Sequence, residues 1–600
     1  MKKTINIFLI VLMVVTSCKE DVLDKVPLGI ISDNVVWKDP ALVDAYLTEC
    51  YAEIYIFSNE VSQDNNWSNY DRGDGWAGPL YVNDVSDECK SGWIPDGYVY
   101  KLGYLRIGGG LLEWWENSYK VIRKLNEFIQ RVPSSPLSED VKKERTAEAR
   151  FLRAFNYFAM VKRYGGIPLI TEAQDLNIPN DSLYPKRAKE QAVYDFVLLE
   201  IDAISNDLPN TSNDLGRPTK YAALALKCRA ALYAGSIAQF GTVLLDGVVG
   251  IDASTATAYY QQAYDAAKLI INSGNYSLYD KYPNDKVMNF RNLFLDKNNT
   301  EAIFVKKHDN SNAMGNGGNG WGYDFFQTPL PNGWSSGNQN APYLEMAEEF
   351  EHIDGSSGKL DRNTIQQGLW TTDQLWANKD PRFFATIYTQ NAPWKGTLLD
   401  YHKGILKPDG TIQDGGSYNG ILANGTQNVN STGFGVMKYL DESHDNLIGS
   451  NGDWATSSQD WIVFRYGEVL LNYAEAAFNL GKPSDALDAV NQIRARAGVA
   501  PLSSIDGDNI RHERKVELAF EGQRYWDLRR WRIAVTVLSK NSSGLRYVLD
   551  YATGKYKLMV VDNIDGIVTP PAFYPQNYYL PITLARTGNN PNLVENPGYQ

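Results

Sequence analysis

Cysteine and histidine are scarce in this chain of 600 residues, with four of the first and five of the second, and there is no surplus of positive charge. With Cys18 set aside, an odd number of cysteines remains, Cys50, Cys89 and Cys228. They cannot make a disulfide framework, although one pair among them stays open. Cys228 lies in an apolar helical run and reads as a small buried residue without a role of its own. The histidines, at 308, 352, 402, 444 and 512, include no H-E-x-x-H motif and no close pair, so the usual zinc hydrolase signature is missing and no metal ligand is assigned. Basic residues number 58 against 71 acidic ones, which argues against nucleic acid as a partner. Beyond residue 17 no apolar run is long enough to cross a bilayer.

The one concentrated apolar run lies at the start. Lys2 and Lys3 precede Ile5 to Val15, broken only by Asn6, and Val15-Thr16-Ser17-Cys18 closes the run. The run has the length of a secretory signal and is too short for a membrane span. Residues 1–17 are therefore expected to be a lipoprotein signal peptide. Cys18 is then expected to become the new terminus, carrying a thioether-linked diacylglycerol with acyl chains such as palmitate. More than one chain, at about 0.8 kcal/mol per buried methylene, holds a soluble domain on a membrane face. Without its first 17 residues the chain has 56 basic and 71 acidic residues, a charge of −15. Screening over about 8 Å still permits a local site for a charged ligand, while a neutral one is favoured.

Helical periodicity dominates the rest of the chain. Ala41 to Tyr55, Leu111 to Ile129 and Ala147 to Arg163 carry apolar residues at helical spacing, the last with Phe151, Phe155 and Phe158 on one face. Gly165-Gly166 and Pro168 stop that helix. Tyr221 to Tyr233 and Tyr259 to Ile271 form an alanine-rich pair closed by Gly274. In the sharpest pair, Leu470, Tyr473, Ala474 and Ala477 share a face, Gly481 and Pro483 make the turn, and Ala486, Ala489, Val490, Ile493 and Ala497 form the facing stripe. Two helices joined so briefly pack antiparallel, and recurrence of the unit indicates tetratricopeptide-like repeats. The expected fold is mainly α, a scaffold of helix pairs with long loop-rich elaborations and minor β structure. Residues 18–600 are expected to form one unit, with the helical scaffold mostly at 38–290 and 461–540 and a loop-rich region at 300–460.

Four stretches carry a family likeness: Ala147-Glu-Ala-Arg-Phe-Leu-Arg-Ala-Phe155 with Tyr164-Gly-Gly-Ile-Pro168; Leu470-Leu-Asn-Tyr-Ala-Glu-Ala476 through Asn491-Gln-Ile-Arg-Ala-Arg496; Glu513-Arg-Lys-Val-Glu-Leu-Ala-Phe-Glu-Gly-Gln-Arg-Tyr-Trp-Asp-Leu-Arg529; and Asn590-Pro-Asn-Leu-Val-Glu-Asn-Pro-Gly598. With these the chain resembles the SusD/RagB family of outer-membrane nutrient-binding lipoproteins, nearly end to end. The resemblance implies four tetratricopeptide-like units under a loop-rich face and a lipid anchor at the cell surface, to which Glu20-Asp21 would direct it. It also implies a SusC-like TonB-dependent barrel as partner and no catalysis. In the third stretch Glu513, Arg514, Glu517, Glu521, Arg524, Asp527 and Arg529 alternate in charge at helical spacing. They are expected to pair with one another rather than to act as an acid and a base.

Two regions lack helical periodicity and are rich in Asn, Gly and aromatics: Asp64 to Tyr104, and His308 to about Asn340. From them Trp67, Trp76, Trp93, Trp321, Tyr323 and Trp334 are the candidate ligand-binding residues. A flat indole suits the C–H face of a pyranose while neighbouring Asn and Asp side chains, with Asp84, Asp87 and Glu88 in the first region, meet its hydroxyls. At about 40 Å² of apolar surface per ring and about 25 cal/mol per Å², each platform contributes roughly 1 kcal/mol. Three or four rings then reach about the millimolar range, weak enough for release.

Other motifs carry less. Gly315 to Gly320 fits G-x-G-x-x-G but opens onto Trp321 and Tyr323 instead of a helix, so no dinucleotide or other cofactor is expected. Asp71, Asp74 and Asn83 to Glu88 offer oxygen ligands for calcium without fitting an EF-hand loop. The expected function is non-catalytic capture of a polysaccharide or oligosaccharide for delivery to the barrel. The rivals are peptide uptake, a surface glycoside hydrolase and a purely structural repeat adaptor.

Overall fold

The structure, a computed structural model, describes residues 33–54, 57, 80–91, 112–175, 177–212, 214–309, 322–329, 332, 337–425, 432–445, 456–565 and 573–599. Among the described residues ten helices make the scaffold: α1 (Pro40–Ala52), α2 (Glu116–Arg131), α3 (Glu139–Tyr164), α4 (Glu190–Ile204), α5 (Lys220–Phe240), α6 (Ala256–Asn272), α7 (Tyr466–Asn479), α8 (Pro483–Ala497), α9 (Gly507–Glu517) and α10 (Arg524–Arg530). Each helix from α1 to α8 packs on the next, so that α7 lies against α6 although almost two hundred residues separate them.

The α7–α8 pair forms as its sequence predicts. Gly481 turns the chain at φ 71°, Pro483 opens α8, and Ala486, Ala489, Val490, Ile493 and Ala497 are all buried. In α5 and α6, alanine and glycine set the spacing, since a Cβ on Gly235 would stand 3.0 Å from the Tyr260 ring. Two expectations change. The residues Leu112 to Trp115 precede α2 instead of joining it, because Trp114 is buried with its Nε1 donating to Asn156 Oδ1 at 3.1 Å. The helix α3 buries more than one face. From Phe151 to its end every residue is buried, with Phe151 edge-on to Phe304 and Phe158 edge-on to Tyr233. A helix buried on all sides, here with Arg153, Asn156, Lys162 and Arg163 among the buried residues, is central in its fold. It ends where it must: a Cβ on Gly166 would lie 1.9 Å from the Ala188 carbonyl oxygen.

Strands among the described residues are mostly short. The antiparallel pair β2 (Ala302–Lys306) and β7 (Trp461–Arg465), distant in sequence, leads into α7, and β1 (Cys89–Ser91) pairs with β3 (Asn340–Pro342). A five-stranded sheet has the order β4 (Leu369–Trp370), β9 (Tyr556–Val561), β8 (Gly544–Asp550), β5 (Ile405–Leu406), β6 (Ile412–Gln413), with only β8 and β5 parallel. Beneath it a second apolar core gathers Phe350, Trp376, Phe383, Phe434, Phe520 and Tyr547, apart from the large core of the helices. Cys50, Cys89 and Cys228 are all buried and do not pair with one another, and burial pushes the thiols of Cys50 and Cys228 up to about 12. Among the described residues no helix is long and apolar enough to cross a membrane.

Candidate functional site

The two aromatic-rich regions, more than two hundred residues apart in sequence, meet in β1 and β3. Their antiparallel register sets Cys89 opposite Pro342 and Ser91 opposite Asn340. Asn340 Nδ2 donates to Asp84 Oδ1 at 2.5 Å, and Gln327 Nε2 donates to Asn340 Oδ1 at 2.7 Å. Lys90 reaches the Ile564 carbonyl at 2.8 Å. Both regions thus start from a shared, hydrogen-bonded base.

That base rests on the turn between α9 and α10. Phe520 sits there at φ 61°, a left-handed conformation costly for a bulky side chain. Its N–H donates to Glu88 Oε1 at 2.9 Å, and its carbonyl accepts from Asn83 Nδ2 at 3.4 Å. Arg524 grips both oxygens of Asp87 at 2.8 and 2.9 Å, and Lys515 adds a third bond at 2.9 Å. Burial opposes ionisation of Asp87, but Arg524 and Lys515 outweigh it and hold the carboxyl well below its ordinary range. For Glu88 burial wins and pushes the carboxyl up to about 7. Asp84, Asp87 and Glu88 are therefore committed to holding the base together and are not placed for ligand hydroxyls. The same commitments remove Asn83 to Glu88 as a calcium loop, and among the described residues no cluster of three potential metal ligands occurs.

Behind the turn lies a buried network of arginine and glutamate. Arg465 donates to Glu301 and Glu517 at 2.7 Å each and to Glu521 at 2.7 Å. Arg382 donates to Asp380 at 2.8 Å, Glu513 at 2.5 Å and Glu517 at 2.9 Å. Arg496 bonds Glu301 at 3.2 Å and also Glu517. The phenyl rings of Phe290 and Phe294 cover the cations of Arg496, at 4.9 Å, and Lys438, at 4.7 Å. Burial alone would raise the Glu517 carboxyl, but Arg496, Arg465 and Arg382 keep it well below its ordinary range. Helical spacing predicts pairing inside the motif itself. There, only Arg514–Asp527 joins two of the seven named charges among the described residues, at 2.6 Å. The others reach across the fold, and Arg529 donates instead to the carbonyls of Tyr578 and Arg163.

Tyr323 belongs to the floor under the second region. It is 3% exposed, its hydroxyl donates to the Lys438 carbonyl at 2.7 Å, and its ring stands edge-on to Tyr439, which stacks on Trp461 at 4.9 Å. Phe325 and Phe326 are buried as well. Trp67, Trp76, Trp93, Trp321, Trp334, Cys18 and the Gly315–Gly320 stretch lie outside the described residues. Two buried features beside the second region were missed. Trp394, in the hairpin Pro393–Trp394 with Thr397–Leu398, donates Nε1 to Asn332 Oδ1 at 3.3 Å, two residues before Trp334. Its signal was the two-residue Lys395-Gly396 turn, both at positive φ. Asn338, at φ 57° and fully buried, has no partner among the described residues for either side-chain polar atom, and the same holds for the nearby Thr328 hydroxyl. No sequence signal marked that pair.

The described part of the candidate site is thus a charge-locked base, joined through β1 and β3 and carried by a scaffold of paired helices. The SusD family model matches residues 300–599, half of the chain, and a model described as starch-binding associating with outer membrane matches residues 101–232. The chain belongs to the SusD/RagB family. It is 27% identical to SusD-like protein P38 of Formosa agariphila over 572 residues, 90% of this chain and 94% of that one. Among solved structures it is similar to a SusD-like protein from Bacteroides fragilis (TM-score 0.70, 25% identity, 96% of this chain and 100% of that chain). It is also similar to a SusD-like carbohydrate-binding protein from the same species (TM-score 0.68, 23% identity, 93% and 100%).

Proposed function

We propose that the chain is a surface lipoprotein, anchored through Cys18, that captures a polysaccharide or oligosaccharide and passes it to a SusC-like TonB-dependent outer-membrane barrel without altering it chemically. The observation that carries this reading is the β1–β3 pairing, which brings the two regions holding Trp67, Trp76, Trp93, Trp321 and Trp334 to one base. The carbohydrate-binding name of a structural relative and the outer-membrane description of the second family model support it. The carboxylates Glu513, Glu517 and Asp527 of the motif are held by guanidinium groups instead of standing free as an acid or base, which favours binding over hydrolysis.

The test is native affinity electrophoresis of the chain without its first 18 residues, in gels containing neutral and acidic polysaccharides. Retardation in one gel, lost when Trp76, Trp93, Trp321 or Trp334 is replaced singly by alanine at unchanged melting temperature, is the expected result. Absence of retardation in every gel would turn the reading towards peptide uptake. Release of reducing ends over time would establish hydrolysis instead.

A further inference from the structure

A concavity lies on the helical scaffold, formed by the end of α5, the loop after it, Arg532 just beyond α10 and the C-terminal segment. It measures about 420 Å³, within the range of small-ligand sites, and its lining includes Phe240, Thr242, Arg532, Gln576, Tyr578 and Tyr579. None of these residues comes from the two regions assigned above to glycan capture.

Its charge is unusual for an acidic chain. The guanidinium of Arg532 lies over the rings of Tyr578 and Tyr579, at 4.6 and 5.0 Å, and donates to the Tyr579 hydroxyl at 2.5 Å and the Arg529 carbonyl at 3.1 Å. Among the described residues it has no ion pair, and its Nε–H has no acceptor. Two more arginines stand behind the wall, also without ion pairs among the described residues. Arg529 bonds the carbonyl of Tyr578, and Arg187 bonds Asn596 Oδ1 at 2.9 Å and the carbonyls of Gly166, Tyr164 and Val594. The facing carboxylates are Glu190, which accepts from Tyr579 and the Gly250 N–H, and Glu595, which accepts from the N–H groups of Ile582 and Asn596. Neither forms an ion pair with Arg532, whose charge acts on Glu190 only across the bridging Tyr579 hydroxyl. Arginine held flat on aromatic rings with free donors is pre-organised for a carboxylate or sulfate oxygen. Phe240, 36% exposed, adds an apolar wall against which a sugar ring can lie.

We propose that this concavity is a subsite for an acidic sugar, with the carboxylate of a uronic acid unit on Arg532 and its ring against Tyr578 and Phe240. The saccharide part rests on the capture reading; the anion part does not. Calorimetric titration of the chain without its first 18 residues with tri-galacturonate tests it, with maltotriose as the neutral comparison. The expected result is saturable binding of tri-galacturonate that weakens with salt, at least tenfold weaker in Arg532→Gln and in Thr242→Trp, which fills the mouth from an exposed loop position. Maltotriose should not compete. No binding by the unaltered chain, or equal affinity in both variants, would overturn the proposal. Equal binding of maltotriose would overturn its anionic part. Arg532-dependent binding alongside failure of every polysaccharide gel would sink the capture reading and leave this site standing.

Discussion

Two groups of arginines sit in this molecule under opposite arrangements. Around the α9–α10 turn, Arg382, Arg465 and Arg496 each meet two or three carboxylates, and Glu517 alone serves all three. Around the C-terminal segment, Arg187, Arg529 and Arg532 meet carbonyl, amide and hydroxyl oxygens and form no ion pair among the described residues. The first group locks a base, because a buried ion is tolerated only when its partners hold still. The second keeps a positive field beside a concavity. Residue type is the same in both, and what differs is whether a carboxylate from a distant part of the chain arrives.

The comparison breaks hardest at Glu517. Glu517→Gln leaves three guanidiniums short of a partner and should cost about 3–5 kcal/mol in urea unfolding. A loss under about 1 kcal/mol would mean the network adds little. Arg529→Met should cost clearly less, under about 2 kcal/mol, because a buried charge with Nε and Nη1 unbonded is removed together with its bonds to carbonyls. Equal losses in the two variants would erase the distinction.

Acid separates the regions further. The depressed carboxyls of Glu517 and Asp87 contribute stability that is fully present above their ordinary values of 4.5 and 3.8 and lost as pH falls through their lower folded values. Glu88 runs the other way. Its folded value of about 7 means its favourable term is present below pH 4.5 and lost as pH rises towards 7, so Glu88→Gln should equal the unaltered chain at pH 5 and exceed it in melting temperature at pH 8.

The smallest effect belongs to His402. Its two ring nitrogens face Asp400 Oδ1 at 2.6 Å and the Leu422 carbonyl at 2.8 Å, both acceptors. Burial opposes the cation, but these two acceptors outweigh it and raise the ring above 6.5. Its contribution is complete below pH 6.5 and fades as pH rises through the folded value. His402→Gln should therefore lower the melting temperature slightly at pH 6 and not at pH 9, and an equal drop at both would deny the charge.

Helices were the most legible part, because their information is local. The Gly481-Pro483 turn and the alanine stripe of α8 could be read directly, and so could the stop at Gly165-Gly166. The all-round burial of α3 was not legible, since a face is assigned by period while the number of neighbours depends on where the helix lies in the stack. The candidate site was read more coarsely. Composition singled out the two regions, but Tyr323 turned out to be floor, and Asp84, Asp87 and Glu88 to be its fastenings. A carboxylate looks the same in sequence whether it will face a sugar or an arginine more than four hundred residues away.

By itself the sequence determined the helical periods, the turn residues, the scarcity of metal-binding side chains and the family motifs, all of which depend on near neighbours or on counts. Only the tertiary structure decided that Cys89 stands opposite Pro342, that Phe520 bridges Asn83 and Glu88, and that one set of arginines is neutralised while another meets carbonyl, amide and hydroxyl oxygens. Those outcomes depend on which distant segments share a few ångströms of low-dielectric space, where a missing partner costs several times what it does in water.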